Sequence, residues 1–150
     1  MCLIVKKGTE ITVTEEDMTV YKIVSAALSD GQVRAQFNHY WYIDGVVART
    51  ELAQCPPEDG AFLDFTDIYM VKKMLGMDDG ASGWDVLSSG MVDSWKFGFH
   101  FFSTLESAER HDDSDCTYIA RFVIPAGSAV IISETGLGIT DTIMYTSEFK

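Results

Sequence analysis

Apolar and polar residues alternate with a period of two at 11–13 and 117–124, which is typical of β-strands with one buried face. Runs at 2–6, 19–24, 33–37, 40–43, 46–48, 129–132 and 139–145 are also predicted to be strands, with a further strand expected near 91–92. Ser29-Asp30-Gly31 separates two of these runs and predicts a hairpin. Asp44-Gly45 separates two others and predicts a second hairpin, because an Asp-Gly pair between strands favours a tight turn.

Helical patterning is confined to two short segments. The first is predicted over 66–75, with Thr66 as its N-cap and Lys72 and Lys73 in its last turn, where they complement the helix dipole. In the second, Ser103 and Glu106 have the spacing of a capping box, which predicts a helix to about residue 110. About eight strands that do not alternate with two short helices predict a single α+β domain over 1–150, with a mostly antiparallel sheet.

The charge balance narrows the possible partners. The chain has 150 residues, with 23 Asp and Glu against 11 Lys and Arg, a formal net charge of −12. Nucleic acid and anionic membranes would repel such a chain, so neither is expected as a direct partner. The acidity either keeps the protein soluble or imitates the charge of a nucleic acid towards a basic partner.

Several features favour a reducing cytosol. No apolar run is long enough to cross a bilayer, and the apolar start of the chain precedes Lys6 and Lys7, the reverse of a signal peptide. The three cysteines are Cys2, Cys55 and Cys116. Because the number is odd and the residues are far apart in sequence, we expect reduced thiols and no disulfide framework.

No motif for a metal, a cofactor or a nucleophile is evident. The three histidines and three cysteines lack the paired spacing of zinc sites, and the acidic segment 111–115 lacks the glycine and distal glutamate of a calcium loop. Gly136-Leu137-Gly138 precedes a strand, which favours a hairpin turn over a phosphate-binding loop. We therefore expect no metal and no cofactor.

One aromatic segment offers a candidate pocket. His100 lies in the run 97–102, and if this run is a strand, His100 is on the face opposite Phe99 and Phe101. His100 with Tyr40 and Tyr42 could line a pocket in which a nucleotide base stacks. The simpler interpretation, which we favour, is a buried histidine whose ring bonds to backbone carbonyls.

The densest acidic stretch offers a candidate binding face. It runs from the second predicted helix into the loop that follows, and its members are Glu106, Glu109, Asp112, Asp113 and Asp115. Glu106 and Glu109 are three residues apart and would share one side of a helix. The sequence alone does not show whether the other acidic clusters converge with these residues.

Four segments together resemble a set of short, uncharacterised accessory proteins encoded in phages and mobile elements of gut bacteria. They are MCLIVKKGT at 1–9, DMTVYK at 17–22, GFHFF at 98–102 and IPAGS at 124–128. The order of the motifs is specific, although each motif alone is weak. The resemblance implies a phage accessory gene acting in a bacterial cytoplasm, and it transfers no catalytic residue to this chain.

Departures from this pattern are Phe101, where serine is usual, Ala126, where lysine is usual, and a long insert at about 59–83.

The first hypothesis for function is a non-enzymatic acidic binding protein that inhibits a host nucleic-acid-binding defence protein, such as a CRISPR protein, by nucleic-acid mimicry. The alternative is a nucleotide-recognising domain, either a signalling-nucleotide sponge or an ADP-ribosyltransferase-like enzyme. A third possibility is an accessory domain with no property beyond a stable fold.

Overall fold

The computed structural model describes residues 3–25, 31–35, 40–54, 68–112 and 116–147. These residues form thirteen strands and three helices, which confirms the predicted α+β class with more strands than expected. The strands are β1 (Leu3–Lys6), β2 (Thr12–Val13), β3 (Met18–Ser25), β4 (Gln32–Ala35), β5 (Trp41–Ile43), β6 (Val47–Arg49), β7 (Ala53–Gln54), β8 (Val92–Phe97), β9 (Phe99–Phe102), β10 (Thr117–Ile124), β11 (Ala129–Ile132), β12 (Leu137–Thr140) and β13 (Thr142–Tyr145). The helices are α1 (Ile68–Leu75), α2 (Gly83–Ser88) and α3 (Leu105–His111).

Ten strands form one antiparallel sheet around the long pair β3 and β10, which are in register over eight residue pairs. The order is β2-β11-β12-β9-β3-β10-β13-β6, and β4 connects β3 to β5. The edge of β3 away from β10 is shared by two strands. β9 pairs there with Tyr21, and β4 pairs with Val24 and Ser25. Between them, Lys22 and Ile23 face a gap in the described sheet.

The other three strands form a small antiparallel sheet in the order β1-β8-β7, and apolar residues are buried on both of its faces. The buried residues between the small and large sheets are Leu3, Val5, Ile131 and Ile139. Those between the small sheet and the first two helices are Ile4, Val71, Val86 and Val92. The small sheet is therefore a layer between α1 and α2 on one side and the large sheet on the other.

The main core lies on one face of the large sheet. Its buried members are Val20, Val24, Val33, Ala35, Tyr42, Ala48, Phe99, Phe101, Ala120, Phe122, Ile124, Val130 and Ile143. They come from eight strands, and on β3 the inward positions alternate as strand geometry requires. On the opposite face of β3, Ile23 is buried against Phe102 of β9 and Ala108 of α3.

Gly98 connects the small sheet to the large one, between β8 and β9. Its φ is +135°, a region that L-residues rarely adopt. A Cβ built at this position would lie 2.6 Å from Ile139 Cγ1 and 2.6 Å from Leu52 Cδ2. The chain can therefore make this close crossing because residue 98 has no side chain.

The hairpin predicted at Asp44-Gly45 is wrong in its pairing. The turn forms, but β5 pairs with β4 and β6 pairs with β13. The Asp44 N–H donates to the Gly31 carbonyl at 2.6 Å, and the Gly45 N–H donates to the Tyr145 carbonyl at 3.0 Å. These bonds tie the turn to other strands, so the two flanking strands separate instead of pairing with each other.

Two details of the helices also differ from the predictions. The N-cap of α3 is Thr104, whose Oγ1 accepts from the Ser107 N–H at 3.1 Å, while the Ser103 hydroxyl donates to the Gly136 carbonyl. The second difference is α2, a helix that the sequence pattern did not predict. Its capping box consists of Ser82 and Asp85. The predicted cap Thr66 lies outside the described residues.

Candidate functional site

The acidic residues predicted to form a binding face differ in their surroundings. Glu106 and Glu109 are exposed on α3 and three residues apart, so they share one side of the helix. Asp112 is half-buried at the C-cap, and its Oδ1 accepts a hydrogen bond from Thr117 Oγ1 at 2.6 Å. Asp113 and Asp115 lie outside the described residues. The structure thus places two of these five acids together on an exposed surface.

Carboxylates also dominate the rest of the described surface. The other exposed acids are Glu10, Glu15, Glu16, Asp17, Glu51, Asp78, Asp79, Asp85 and Glu134. Within the described part of the chain, a salt bridge joins Lys6 Nζ to Glu134 Oε1 at 2.9 Å. Exposed pairs of this kind contribute little to stability. Most of the described carboxylates therefore carry charge that no lysine or arginine of the described chain pairs with.

Tyr40 and Tyr42, predicted to line a pocket, lie together in an aromatic cluster. Their ring centroids are 4.8 Å apart, and the Phe99 ring lies 5.5 Å from Tyr40 and 5.9 Å from Tyr42. Tyr42 is buried and also contacts Phe122 at 4.9 Å. Tyr40 is 44% exposed, so it forms the solvent-facing end of the cluster.

The side chain of His100 lies on the opposite face of β9 from these tyrosines. Residue 100 is in register with Ile139, which packs towards the small sheet, whereas Phe99 and Phe101 point into the main core. Its ring donates a hydrogen bond to the Gly98 backbone, and its Nε2 is buried without a hydrogen-bond partner in the described structure. Burial, together with the charge of Lys22, lowers the pKa of His100 to about 3. The ring is therefore neutral at physiological pH.

Replacing His100 with alanine should lower the free energy of unfolding at pH 7 by roughly 2 kcal/mol, because a buried ring and its hydrogen bond are lost. Chemical denaturation of wild type and variant would measure this loss. Binding to a partner at the acidic surface should be unchanged in the folded fraction. An unchanged stability with loss of binding would contradict this structural role.

Lys22 is a feature that was not predicted from the sequence. It lies between Val20 and Val24 on the core face of β3 and is 6% exposed. Its Nζ lies 5.4 Å from the centroid of the Tyr42 ring and 6.0 Å from that of Phe122. Strand geometry over residues 19–24 could have indicated this burial, because it puts Lys22 on the same face as Val20 and Val24.

The Lys22 amine occupies the gap where β9 and β4 separate along β3. Its Nζ donates a hydrogen bond to the His100 carbonyl, which supplies a buried carbonyl with a donor. Burial lowers the pKa of Lys22 to about 7, because removal from water disfavours the charged amine more than the aromatic rings favour it. The amine joins strands inside the core and is shielded from solvent.

Among the described residues, no group of three or more His, Cys, Asp and Glu side chains is arranged to hold a metal ion. No described helix is long and apolar enough to cross a membrane.

Comparison with known proteins identifies no relative. No family model matches the chain, and neither the curated proteins nor the solved structures include a significant match. The resemblance to phage accessory proteins stays a prediction from the four sequence motifs.

Proposed function

We propose that this protein is a non-enzymatic binding protein whose acidic surface occupies the nucleic-acid-binding site of a basic host protein. The observation that carries this proposal is the exposed pair Glu106 and Glu109 on α3, within a described surface rich in unpaired carboxylates. Adjacent carboxylates repel each other. A lysine- and arginine-rich partner would relieve that repulsion.

The mechanism is electrostatic steering followed by competition. The formal net charge of −12 attracts a basic protein over distances comparable to the Debye length, about 8 Å near physiological salt. At contact, surface carboxylates would take the place of phosphates against the lysine and arginine side chains of the partner. We propose a bacterial cytoplasmic setting, in which the partner is a host defence protein, from the motif resemblance.

Burial of Lys22 strengthens the acidic character of the surface. It is one of the eleven basic residues, but it lies in the core, where its charge is shielded and partly lost at pH 7. The surface therefore has fewer basic residues than the composition suggests. An approaching partner meets a field at least as negative as the formal charge indicates.

A nucleotide-recognising domain is the second candidate, and the half-exposed Tyr40 ring favours it. The Tyr40 ring lies 4.8 Å from the buried Tyr42 ring at a tilt of 51°, and its exposed part could contact a base. The guanidinium of Arg34 on β4 lies 5.9 Å from the centroid of the Trp41 ring on the paired strand β5, which adds a cation near this end of the sheet. His100 lies on the other face of β9, so it is not part of this candidate nucleotide site. Saturable binding of a cyclic dinucleotide or NAD that Tyr40→Ala abolishes would support it.

The test of the acidic-surface proposal is capture from a gut-bacterial lysate with the immobilised protein at low and high salt. At low salt we expect a basic nucleic-acid-binding protein to be retained, and at high salt we expect it to be released, because screening weakens charge attraction. The double variant Glu106→Gln and Glu109→Gln should retain several-fold less of that protein. Its matched control, Glu15→Gln with Glu16→Gln, removes the same charge from the exposed turn before β3.

Two results would contradict the proposal. One is a low-salt eluate that lacks any basic or nucleic-acid-binding protein. The other is equal loss of capture in both double variants, which would show that net charge alone acts and that the α3 surface has no special role.

A further inference from the structure

One edge of β10 is left open in the described sheet. β10 pairs with β3 along all eight of its residues, but β13 is in register with Phe122 and Val123 alone. The chain after β13 turns away because the Asp44 carboxylate accepts hydrogen bonds from the Ser147 N–H at 2.9 Å and from its hydroxyl at 2.5 Å. No described strand therefore covers β10 before Phe122 on this side.

The hydrogen bonds around β13 show which main-chain groups face this open edge. The Tyr145 carbonyl accepts from the Gly45 N–H at 3.0 Å, so the main chain of Tyr145 points away from β10. Main-chain groups alternate sides along a strand, so residue 144 faces β10 and its partner Val123 faces β13. By the same alternation, Ile119 points its N–H and C=O groups into the open edge and Arg121 points its N–H there, while the Arg121 C=O lies opposite Thr146, the residue that continues β13.

A groove of about 320 Å³ follows this edge. Tyr118 and Tyr145 line it on the side of the main core, and Tyr21 and Leu105 line it on the side of α3. Successive side chains of an extended segment alternate between its two faces. In this groove they would contact the tyrosine rings on one wall, and the Tyr21 ring and the Leu105 side chain on the other. The groove thus combines unpaired main-chain groups with apolar walls.

We propose that this groove binds an extended peptide by strand addition to β10, and that Arg121 selects a peptide carrying an Asp or Glu side chain. Strand addition to an exposed sheet edge obtains affinity from main-chain hydrogen bonds and specificity from alternate side chains. Arg121 is exposed and is the charged residue among those that line the groove. Its guanidinium can form two parallel hydrogen bonds with one carboxylate.

The charge selectivity can be tested with two peptides that carry fluorescein on the N-terminal amine, Thr-Val-Glu-Val-Thr-amide and the same peptide with Gln in place of Glu. Fluorescence anisotropy should show that wild type binds the Glu peptide about tenfold more tightly, the effect of one charge-assisted hydrogen-bonded pair. Arg121→Gln should remove this preference, so that the variant binds the Glu peptide and the Gln peptide equally. Equal affinity of wild type for both peptides would overturn the role of Arg121.

The main-chain pairing can be tested with Ile119→Pro and its matched control Ile119→Ala. Both variants shorten the same side chain, but proline also removes the N–H that faces the groove and leaves the β3 ladder intact. The proline variant should bind the Glu peptide at least about tenfold more weakly than the alanine variant. Equal binding by the two folded variants would overturn strand addition.

Wild-type protein supplies a test that does not depend on the folding of a variant. In NMR hydrogen exchange, the Glu peptide should slow exchange of the Ile119 and Arg121 amides, and unchanged rates would overturn the proposal. Slowing that instead follows protein concentration without peptide would identify a second copy of the chain as the occupant. The charge variants at Glu106 and Glu109 test the acidic surface separately, so either proposal can fail alone.

Discussion

Replacing Lys22 with methionine should stabilise the protein at pH 7 by roughly 3 kcal/mol, with a gain that disappears as the pH rises towards 9. Methionine has a similar length and no charge, so it can fill the same space between Tyr42 and Phe122. It removes the cost of burying an amine but also the hydrogen bond to the His100 carbonyl. An unpaired buried carbonyl costs roughly 1–3 kcal/mol, which limits the net gain.

The direction of the pH effect follows from the lowered pKa. Lys22 titrates at about 7 in the folded protein and at its ordinary value of 10.5 when unfolded. Between these two pH values the unfolded chain binds one more proton, so this residue makes stability rise by roughly 1.4 kcal/mol per pH unit. The penalty is fully present below pH 7 and fades as the pH rises to 10.5. The methionine variant lacks this slope.

Urea denaturation of both proteins between pH 6 and pH 9 would measure the difference. Lys7→Met is the matched control, because it removes an exposed lysine and should leave the slope of the wild type unchanged. If the stabilities of wild type and Lys22→Met run parallel across this pH range, Lys22 does not change its protonation on folding, and this account of the core is wrong.

Replacing Gly98 with alanine should cost roughly 3–5 kcal/mol of stability. A φ of +135° strains any L-residue, and the new Cβ would meet Ile139 and Leu52 at 2.6 Å. Both neighbours belong to the buried cluster between the sheets, so neither can move without disturbing that packing. The same substitution therefore causes both backbone strain and steric overlap, and both lower the free energy of unfolding.

Gly127→Ala separates the two causes. Gly127 has a φ of +86°, and a Cβ there would have no neighbour within 4 Å, so this control carries backbone strain without overlap. Thermal or chemical denaturation should show a loss of roughly 1 kcal/mol for the control, well below that for Gly98→Ala. Equal losses in the two variants would show that the crossing between the sheets is not closely packed.

The α+β class could be predicted because the longest strands, β3 and β10, are rich in β-branched and aromatic residues, and β10 also alternates between more and less exposed positions. The number of strands could not be predicted, because a strand such as β7 has two residues and is too short to show a period. The last predicted strand is divided at Asp141, whose Oδ1 accepts from the Ala129 N–H and the Thr142 hydroxyl. Such side-chain bonds depend on tertiary contacts and leave no pattern in the sequence.

The relative placement of the candidate-site residues could be predicted where local geometry decides, and could not be predicted where distant strands meet. Helical spacing correctly placed Glu106 and Glu109 side by side, and alternation correctly put His100 on the face opposite Phe99. The sequence did not reveal that Asp112 bonds to Thr117 across the turn after α3. It also did not reveal the open edge of β10, since this edge exists because a different strand turns away.

The most direct test of the central claim is competition for the captured host protein. Fluorescence anisotropy would follow that protein bound to a labelled nucleic acid while this chain is added at physiological salt. The proposed mimicry predicts that the nucleic acid is displaced completely, and that Glu106→Gln with Glu109→Gln displaces it several-fold less effectively than the control at Glu15 and Glu16. A stable ternary complex, in which the host protein holds the nucleic acid and this chain together, would contradict the claim.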